Sequence, residues 1–354
     1  MDISYLDDKY LLNHELLDFE QPSKINFKTG EISAQKRFIP EWIAKYKNWR
    51  FQINSNGRKY LKGSPHIYWN DGKHNYNNFD LTALIWVIND ISQKFQIDPV
   101  QSSIHHLEIG LNLSDLPYDT SKIISNLMIH YGKGKPPQLF NLEEKQTPSH
   151  FKTIMRDWYK LKAYDKSKQY QLSIDIFRFE VKILKSKKLN ELGIINLNDL
   201  LNSNFLKLLG ELYLKIWDEV LINDWTIREN KLNPKELIKL KDWRNANEWI
   251  NLYKETREKY RNRFSLELKR YKSVVLKHSE NVHTMIGQAI AKSWSQNIQE
   301  NESIQTIKVV QEHTNIIDDL ALIRVNAQLG SENLEIAGAR NCSLGTEKEL
   351  LRKF

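Results

Sequence analysis

The sequence predicts an α+β protein in which an N-terminal antiparallel sheet is followed by an all-helical domain. Three stretches before residue 190 alternate apolar and polar residues with a period of two, which is typical of strands covered on one face only. From about residue 196 onward, apolar residues recur at three- and four-residue spacing, which indicates helices. We therefore expect a sheet domain over 1–195, a helical domain over 196–330 and a weakly patterned tail over 331–354.

The first predicted elements are a hairpin and a helix. Residues 49–53 alternate between apolar and polar types, and Asn56-Gly57 follows as a turn because both residues tolerate positive φ. Residues 60–62 then form the return strand. The stretch 79–96 has helical spacing and begins after Asp80, a good N-cap residue.

The three alternating strands cover 107–113, 160–166 and 177–183. A helix is predicted between the first two, from about Asp119 to Tyr131, because Gly132 follows it as a C-terminal stop. If the three strands share a sheet, their polar residues converge on the face that the core leaves uncovered.

That polar face would carry an imidazole, two carboxylates, a phenol and a guanidinium, from His106, Glu108, Glu180, Tyr164 and Arg178. Such a set suits phosphoryl transfer, since carboxylates can hold a hard divalent cation and a tyrosine oxygen can attack phosphorus. Each residue also has an ordinary structural interpretation. The His106–Glu108 pair can be a surface hydrogen bond, Glu180 a cross-strand ion pair and Tyr164 a packing residue.

Charge is concentrated in the predicted helical domain. The chain has a net charge of +8, and residues 235–277 hold thirteen Lys/Arg against six Asp/Glu, whereas 301–354 hold six against eight. A basic segment rich in Trp and Tyr fits phosphate neutralisation with base stacking, although a solvated face of a lysine-rich protein would look the same.

Composition narrows the class of protein further. The single cysteine, Cys342, excludes an internal disulfide framework and a multi-cysteine zinc site. The longest apolar run, near 81–91, is too short and too interrupted to span a bilayer, and the acidic start of the chain does not resemble an export leader. We expect a cytoplasmic protein with no membrane partner.

Four segments in order resemble the replication initiator endonucleases of filamentous bacteriophages, the gene II type that some small plasmids share. The resemblance covers roughly residues 45–200. The four segments are Lys62-Gly63-Ser64-Pro65 followed by Gly72-Lys73-His74-Asn75, then Ile104-His105-His106-Leu107-Glu108, then Leu161-Lys162-Ala163-Tyr164-Asp165-Lys166, and finally Phe177-Arg178-Phe179-Glu180-Val181-Lys182-Ile183 with Leu189 and Leu192-Gly193 after it.

The resemblance implies an N-terminal nicking domain of the HUH-like type with Tyr164 as nucleophile. Two other tyrosines are rivals. Tyr170 would replace Tyr164 if the strand register slipped, whereas Tyr159 alternates onto the apolar face and is expected in the core.

The resemblance also implies a divalent metal, Mg²⁺ or Mn²⁺, with Glu108 and Glu180 as acidic ligands. His106 is a further candidate, although the family often has Arg there and the wider class has a His–apolar–His pair instead of His–apolar–Glu. His74 matches the histidine of the family's Gly-His-Asn turn, with Lys73 inserted.

The function that the resemblance implies is to nick and rejoin a DNA strand at the origin of a small circular phage or plasmid genome, through a covalent 5′-phosphotyrosine. This would start rolling-circle replication in a bacterial host, with single-stranded or hairpin origin DNA, flanking duplex and host replication proteins as partners. The expected DNA contacts are Lys162, Lys166, Lys168, Arg178 and Lys182 on the sheet, and Arg257, Arg261 and Arg263 with Trp243 and Trp249 in the helical domain.

Three alternatives remain open at this point. A mobilisation relaxase or a transposase would carry the same site. A DNA-binding regulator without catalysis would keep only the basic helices, and a structural phage protein would carry its charge without DNA affinity.

Overall fold

The structure is a computed structural model. It describes residues 2–3, 15–21, 24–25, 32–33, 42–132, 135–142, 151–258 and 262–298. The strands are β1 Asp2–Ile3, β2 Lys24–Ile25, β3 Ile32–Ser33, β4 Trp42–Tyr46, β5 Trp49–Ile53, β6 Lys59–Lys62, β7 Ile104–Leu113, β8 Leu127–His130, β9 Gln138–Leu139, β10 Asn141–Leu142, β11 Phe151–Met155, β12 Tyr159–Asp165, β13 Phe177–Ile183 and β14 Val220–Ile222. The helices are α1 Pro65–Trp69, α2 Leu81–Phe95, α3 Thr120–Asn126, α4 Lys166–Tyr170, α5 Ser186–Asn190, α6 Ser203–Asp218, α7 Pro234–Trp243, α8 Ala246–Glu258, α9 Arg263–His278 and α10 Val282–Asn297.

The main sheet is antiparallel, as the sequence predicts. Its strand order is β10-β11-β12-β13-β7-β1-β6-β5-β4, and every strand pair in it runs antiparallel. The mixed composition of antiparallel sheet and helices confirms the α+β class. The three strands of the polar face lie side by side as β12, β13 and β7.

The register of these strands follows from their alternation. The four odd-numbered residues of β13 are completely buried, so the even-numbered residues lie on the opposite face. Pairing then sets Arg178 opposite Tyr164 on β12 and Asn112 on β7, and Glu180 opposite Lys162 and Gly110. This register brings the predicted site residues together.

The apolar face of the sheet is covered by helices from the second half of the chain. Tyr213 and Trp217 of α6 pack edge-on against Phe179, and the Tyr213 hydroxyl donates to the Phe179 carbonyl at 2.5 Å. Trp294 of α10 stacks on Tyr213 with ring centroids 5.9 Å apart, and its Nε1 donates to the Leu206 carbonyl at 3.1 Å. One hydrophobic core therefore joins residues on both sides of position 195.

A second, smaller core lies between the three-stranded sheet β14-β8-β9 and helices α7–α9. It includes Trp243, Trp249 and Tyr271, which are 4%, 1% and 2% exposed. The predicted domain boundaries stay a prediction, and the tail 331–354 lies outside the described residues. Within the described residues, no helix combines the length and the apolar character needed to cross a membrane.

Two elements differ from the prediction. The helix expected over 119–131 ends at Asn126, and residues 127–130 form β8 instead. All four residues of β8 are buried, and the strand pairs with β14 and β9. β14 lies inside the stretch expected to be all helical. It was not predicted because a short buried apolar run fits a strand or a helix equally well, and long-range pairing decides between them.

Gly210 offers a test of the α6–α10 contact. A Cβ atom at this position would collide with the indole of Trp294. Helix propensity alone would make Gly210→Ala stabilising by about 1 kcal/mol, whereas overpacking costs about 1–3 kcal/mol. We expect a net decrease in the free energy of unfolding, measured by chemical denaturation. Glu211→Ala, at the next and exposed position, is the control, and a stabilised Gly210→Ala protein would contradict the packing described.

Candidate active site on the polar face of the sheet

Tyr164 lies on the predicted face of β12, but it is buried there. Its side chain is 7% exposed, its ring stacks on Phe151 at 5.1 Å, and its hydroxyl donates to Glu180 Oε1 at 2.8 Å. The expectation of an uncovered phenol is wrong for this conformation, because Phe151 and the turn into α4 lie over the ring. The hydroxyl nevertheless contacts a carboxylate and not apolar neighbours.

Glu180 is the centre of the cluster. Its Oε1 accepts from Arg178 Nε at 2.6 Å as well as from Tyr164, and its Oε2 accepts from Lys162 Nζ at 3.1 Å. Burial opposes the charge of this carboxyl, but Arg178 and Lys162 hold its pKa well below the ordinary range. The carboxylate therefore stays ionised although it is 3% exposed.

Lys162 joins the two acidic candidates. Its ammonium donates to Glu108 Oε2 at 2.8 Å and to Glu180 Oε2 at 3.1 Å. Burial works against the charge on Lys162, but the two carboxylates raise its pKa above the ordinary value. A lysine ammonium thus occupies the space between the carboxylates that were expected to hold a metal.

The donor set does not fit a divalent cation as it is arranged here. Both oxygens of Glu180 already accept from Arg178, Tyr164 or Lys162, and Glu108 accepts from Lys162. Within the described part of the chain, no three His, Cys, Asp or Glu side chains form a group that could hold a metal. His106 is thus not brought into such a group with Glu108 and Glu180.

Lys166 is the most deeply buried cation of the site. It is 1% exposed, and its ammonium lies 3.3 Å from the Tyr164 hydroxyl and 2.9 Å from Gln169 Oε1. Burial, together with the charge of Arg178, lowers its pKa to about 7. A substantial fraction of this side chain is therefore a neutral amine near pH 7.

The phenol itself is held in its neutral form. Burial and the charge of Glu180 raise the pKa of Tyr164 above its ordinary value. The resting site therefore combines a protonated phenol with a neighbouring amine that can accept a proton.

Gly110 allows this arrangement. A Cβ atom there would lie 2.7 Å from Glu180 Cγ and 3.0 Å from a guanidinium nitrogen of Arg178. Only a residue without a side chain leaves room for both groups to lie across β7.

A network of asparagines continues the site toward the segment 70–80. Arg178 Nη1 donates to Asn112 Oδ1 at 2.8 Å, and the Asn112 amide donates to the carbonyls of Asn75 and Asn77 at 3.0 and 3.2 Å. His66 Nε2 lies 2.8 Å from Asn77 Oδ1. These residues were not predicted, although Asn112 shares the period-two face of β7 with Glu108 and was identifiable by that alternation.

The remaining predicted residues have separate places. His74 stacks on Tyr76 at 3.9 Å, and its Nδ1 is buried with no partner among the described residues. The Tyr170 hydroxyl donates to Asn75 Oδ1 at 3.2 Å. Tyr159 is 5% exposed on the apolar face, where the alternation placed it.

The DNA contacts predicted in the first half of the chain divide into two groups. Lys162, Lys166 and Arg178 lie in the cluster. Lys168 is half exposed with Asp165 at 3.7 Å, and Lys182 is half-buried opposite Glu108.

In the second half of the chain, Arg263 is exposed and pairs with Glu255 at 2.5 Å. Arg261 and the side chain of Arg257 lie outside the described residues. Trp243 and Trp249 are buried and their indoles donate hydrogen bonds inside the second core, so they do not lie on the surface that the expected DNA contacts require.

Helix α9 lies in the basic segment 235–277, and beyond Arg263 its exposed cations were not named in the sequence analysis. Its exposed cations beyond Arg263 are Lys269, Arg270, Lys272 and Lys277, while its only acid, Glu267, is 8% exposed. Arg263, Arg270 and Lys277 recur at seven-residue intervals, which places them on one face of a helix, and this spacing was the available signal.

Comparisons with known proteins show no family for this chain. No protein-family model matches the chain, and no curated protein matches it. A solved structure described as a rolling circle replication initiator protein from Geobacillus stearothermophilus is similar with a TM-score of 0.36 and 8% identity, over 69% of this chain and 94% of that chain. A structural similarity this low does not establish a shared fold or function.

Glu180→Gln tests the buried charge cluster. Loss of the carboxylate leaves Arg178 buried without its counter-ion, and breaking such a pair costs about 3–5 kcal/mol of unfolding free energy. Because the pKa of Glu180 is depressed in the folded protein, this contribution is present above the ordinary pKa of about 4.3 and is lost as the pH falls below it.

Denaturation of both proteins between pH 3 and pH 8 measures the difference. Glu108→Gln, whose side chain is 29% exposed, is the control and should cost about 1 kcal/mol or less. Equal effects of the two substitutions at neutral pH would contradict the central position of Glu180.

Proposed function

We propose that this chain nicks and rejoins a DNA strand through Tyr164, as the initiator of rolling-circle replication of a small circular genome. The observation that carries the proposal is the environment of the Tyr164 hydroxyl. It donates to Glu180 at 2.8 Å and lies 3.3 Å from the ammonium of Lys166, within a cluster that also contains Arg178 and Lys162.

The charge of the cluster suits a backbone phosphate. Two cationic side chains, Lys162 and Arg178, stand against two carboxylates, and Lys166 adds a third positive charge once it takes up the phenolic proton. A phosphodiester carries one negative charge and accepts hydrogen bonds from such donors, which are strongest in a site of low dielectric. The four segments that resemble phage and plasmid initiators carry these same residues, and this is the second support for the proposal.

In the proposed reaction, the Tyr164 oxygen attacks phosphorus and the bond from phosphorus to the 3′ oxygen breaks. The protein then holds the 5′ phosphate covalently, which conserves the bond energy for rejoining. The phenolic O–H turns from Glu180 toward Lys166 and passes its proton to the neutral amine, and the departing 3′ oxygen takes a proton from water. Glu180 orients the phenol through its hydrogen bond, while Arg178 fixes Glu180.

Access to the nucleophile requires movement. Tyr164 is 7% exposed beneath Phe151, so a phosphate reaches its oxygen only after Phe151 or the α4 turn shifts. Binding of the strand would supply the free energy for that opening.

The divalent cation stays a prediction. Mg²⁺ or Mn²⁺ would add Lewis-acid activation of the phosphate, but Lys162 lies between Glu108 and Glu180. The basic face of α9 would bind the phosphates of duplex DNA beside the nick, and host polymerase would extend the free 3′ end.

A covalent adduct with DNA is the direct test of the nucleophile. The protein is incubated with a pool of random single-stranded oligonucleotides labelled at the 3′ end, with Mn²⁺ or with a chelator, and separated on a denaturing gel. We expect a labelled protein band whose DNA sequences define the preferred site. Tyr164→Phe should abolish the band, whereas Tyr170→Phe should retain it. Adduct formation by Tyr164→Phe would refute the assignment.

The role of Lys166 is tested by the pH dependence of adduct formation. As the pH rises through about 7, Lys166 loses its proton, so the wild-type rate should rise and then level off. Lys166→Arg keeps a positive charge but removes the base, and should be slower by about 100-fold without that rise. Lys187→Arg, on exposed α5, is the control, and an unchanged pH profile in Lys166→Arg would exclude Lys166 as the base.

A further inference from the structure

A cavity of about 290 Å³ lies beside the cluster, along residues 107–112 of β7. In this stretch β7 pairs with β13 on one edge, while the described pairing of its other edge with β1 involves only Ile104 and His106. The cavity reaches from the polar face of the sheet to the helices on the apolar face. Its volume is near the lower end of small-ligand pockets, about 300–1,000 Å³.

The two ends of the cavity differ in chemistry. Its polar end is formed by His66, Asn77, Asn112 and Arg178, while its apolar end is formed by Leu84 of α2 and by Leu209 and Trp294. A planar ring system with a hydrogen-bonding edge matches both ends, because apolar side chains cover its faces and amides meet its edge.

The polar end carries a neutral histidine. Burial, and more weakly the charges of Arg178 and Lys166, lower the pKa of His66 to about 4 although Asn77 opposes this. The His66 ring stacks on Phe79 with centroids 4.8 Å apart. Arg178 at this end is already paired with Glu180, and the uncharged amides and imidazole beside it favour the neutral edge of a base over a second phosphate.

The cavity and the proposed reaction site share Glu108 and Arg178. Arg178 lines the cavity and bonds to Asn112 at 2.8 Å, and it also bonds to Glu180, which holds the Tyr164 hydroxyl. Two hydrogen bonds therefore separate the cavity wall from the nucleophile. A phosphate in the cluster places the base of an adjoining nucleotide within reach of the cavity.

We propose that this cavity receives one unstacked base of the single strand beside the scissile phosphate. The proposal rests on the proposed function, which supplies the strand. A base inserted there fixes the register of the strand relative to Tyr164. One nucleotide position near the nick then contributes more to binding affinity than its neighbours do.

The test uses binding, so that it does not depend on cleavage. A single-stranded oligonucleotide is selected from a random pool by its affinity for the full-length Tyr164→Phe protein. Versions with one abasic site at each position are then compared by fluorescence anisotropy. We expect one abasic position to weaken binding about tenfold or more, because loss of base stacking contributes that much.

Cavity-filling variants locate that effect. Ser293→Phe and Leu84→Phe, made in the Tyr164→Phe protein, fill the cavity from α10 and from α2. Each variant should bind the intact oligonucleotide only as weakly as the parent protein binds the sensitive abasic version. The intact and the abasic oligonucleotide should then bind each variant equally well. Ser295→Phe, exposed on the same helix as Ser293, should behave as the parent protein.

The outcomes are distinct. Equal binding of all abasic versions, or an abasic effect that persists in both filled variants, overturns the base cavity even if the wild-type protein forms the covalent adduct. A selective abasic effect without any adduct overturns the nicking function and leaves the cavity assigned. Absence of single-strand binding overturns both.

Discussion

The polar face of the sheet is organised by one buried ion pair, that of Arg178 with Glu180 on the same strand. The guanidinium keeps Glu180 ionised in a buried position, and the carboxylate can then accept from both Tyr164 and Lys162. Nη1 of the same guanidinium donates a hydrogen bond to Asn112 Oδ1. Tyr164, Lys162 and the asparagine network are thus fixed by one two-residue repeat, which a strand places on one face.

Burial has opposite consequences for the groups around this pair. It raises the pKa of Tyr164 and lowers that of Lys166, so the phenol stays neutral and the lysine loses part of its charge in the resting site. A neutral phenol beside a neutral amine costs less desolvation than an ion pair would. The resting cluster therefore avoids the cost of one further buried ion pair.

The sequence predicted elements well where local signals agreed. β13 has the predicted bounds because its alternation is unbroken, and α2 begins after Asp80, whose side chain accepts from the Ala83 amide. Prediction failed where distant parts of the chain decide. β8 pairs with β14, some ninety residues away, and alternation assigned Tyr164 to a face without indicating that Phe151 covers it.

Gly110 shows that a site can depend on a residue that contributes no chemistry. The two charged side chains crossing it leave no room for a methyl group, so a substitution there acts on the ion pair as directly as a change in the pair itself. An alanine would be harmless to most strands. Mutational tolerance at this position is thus set by two side chains of the adjacent strand β13, and a residue without a side chain shares the constraint of the charged residues beside it.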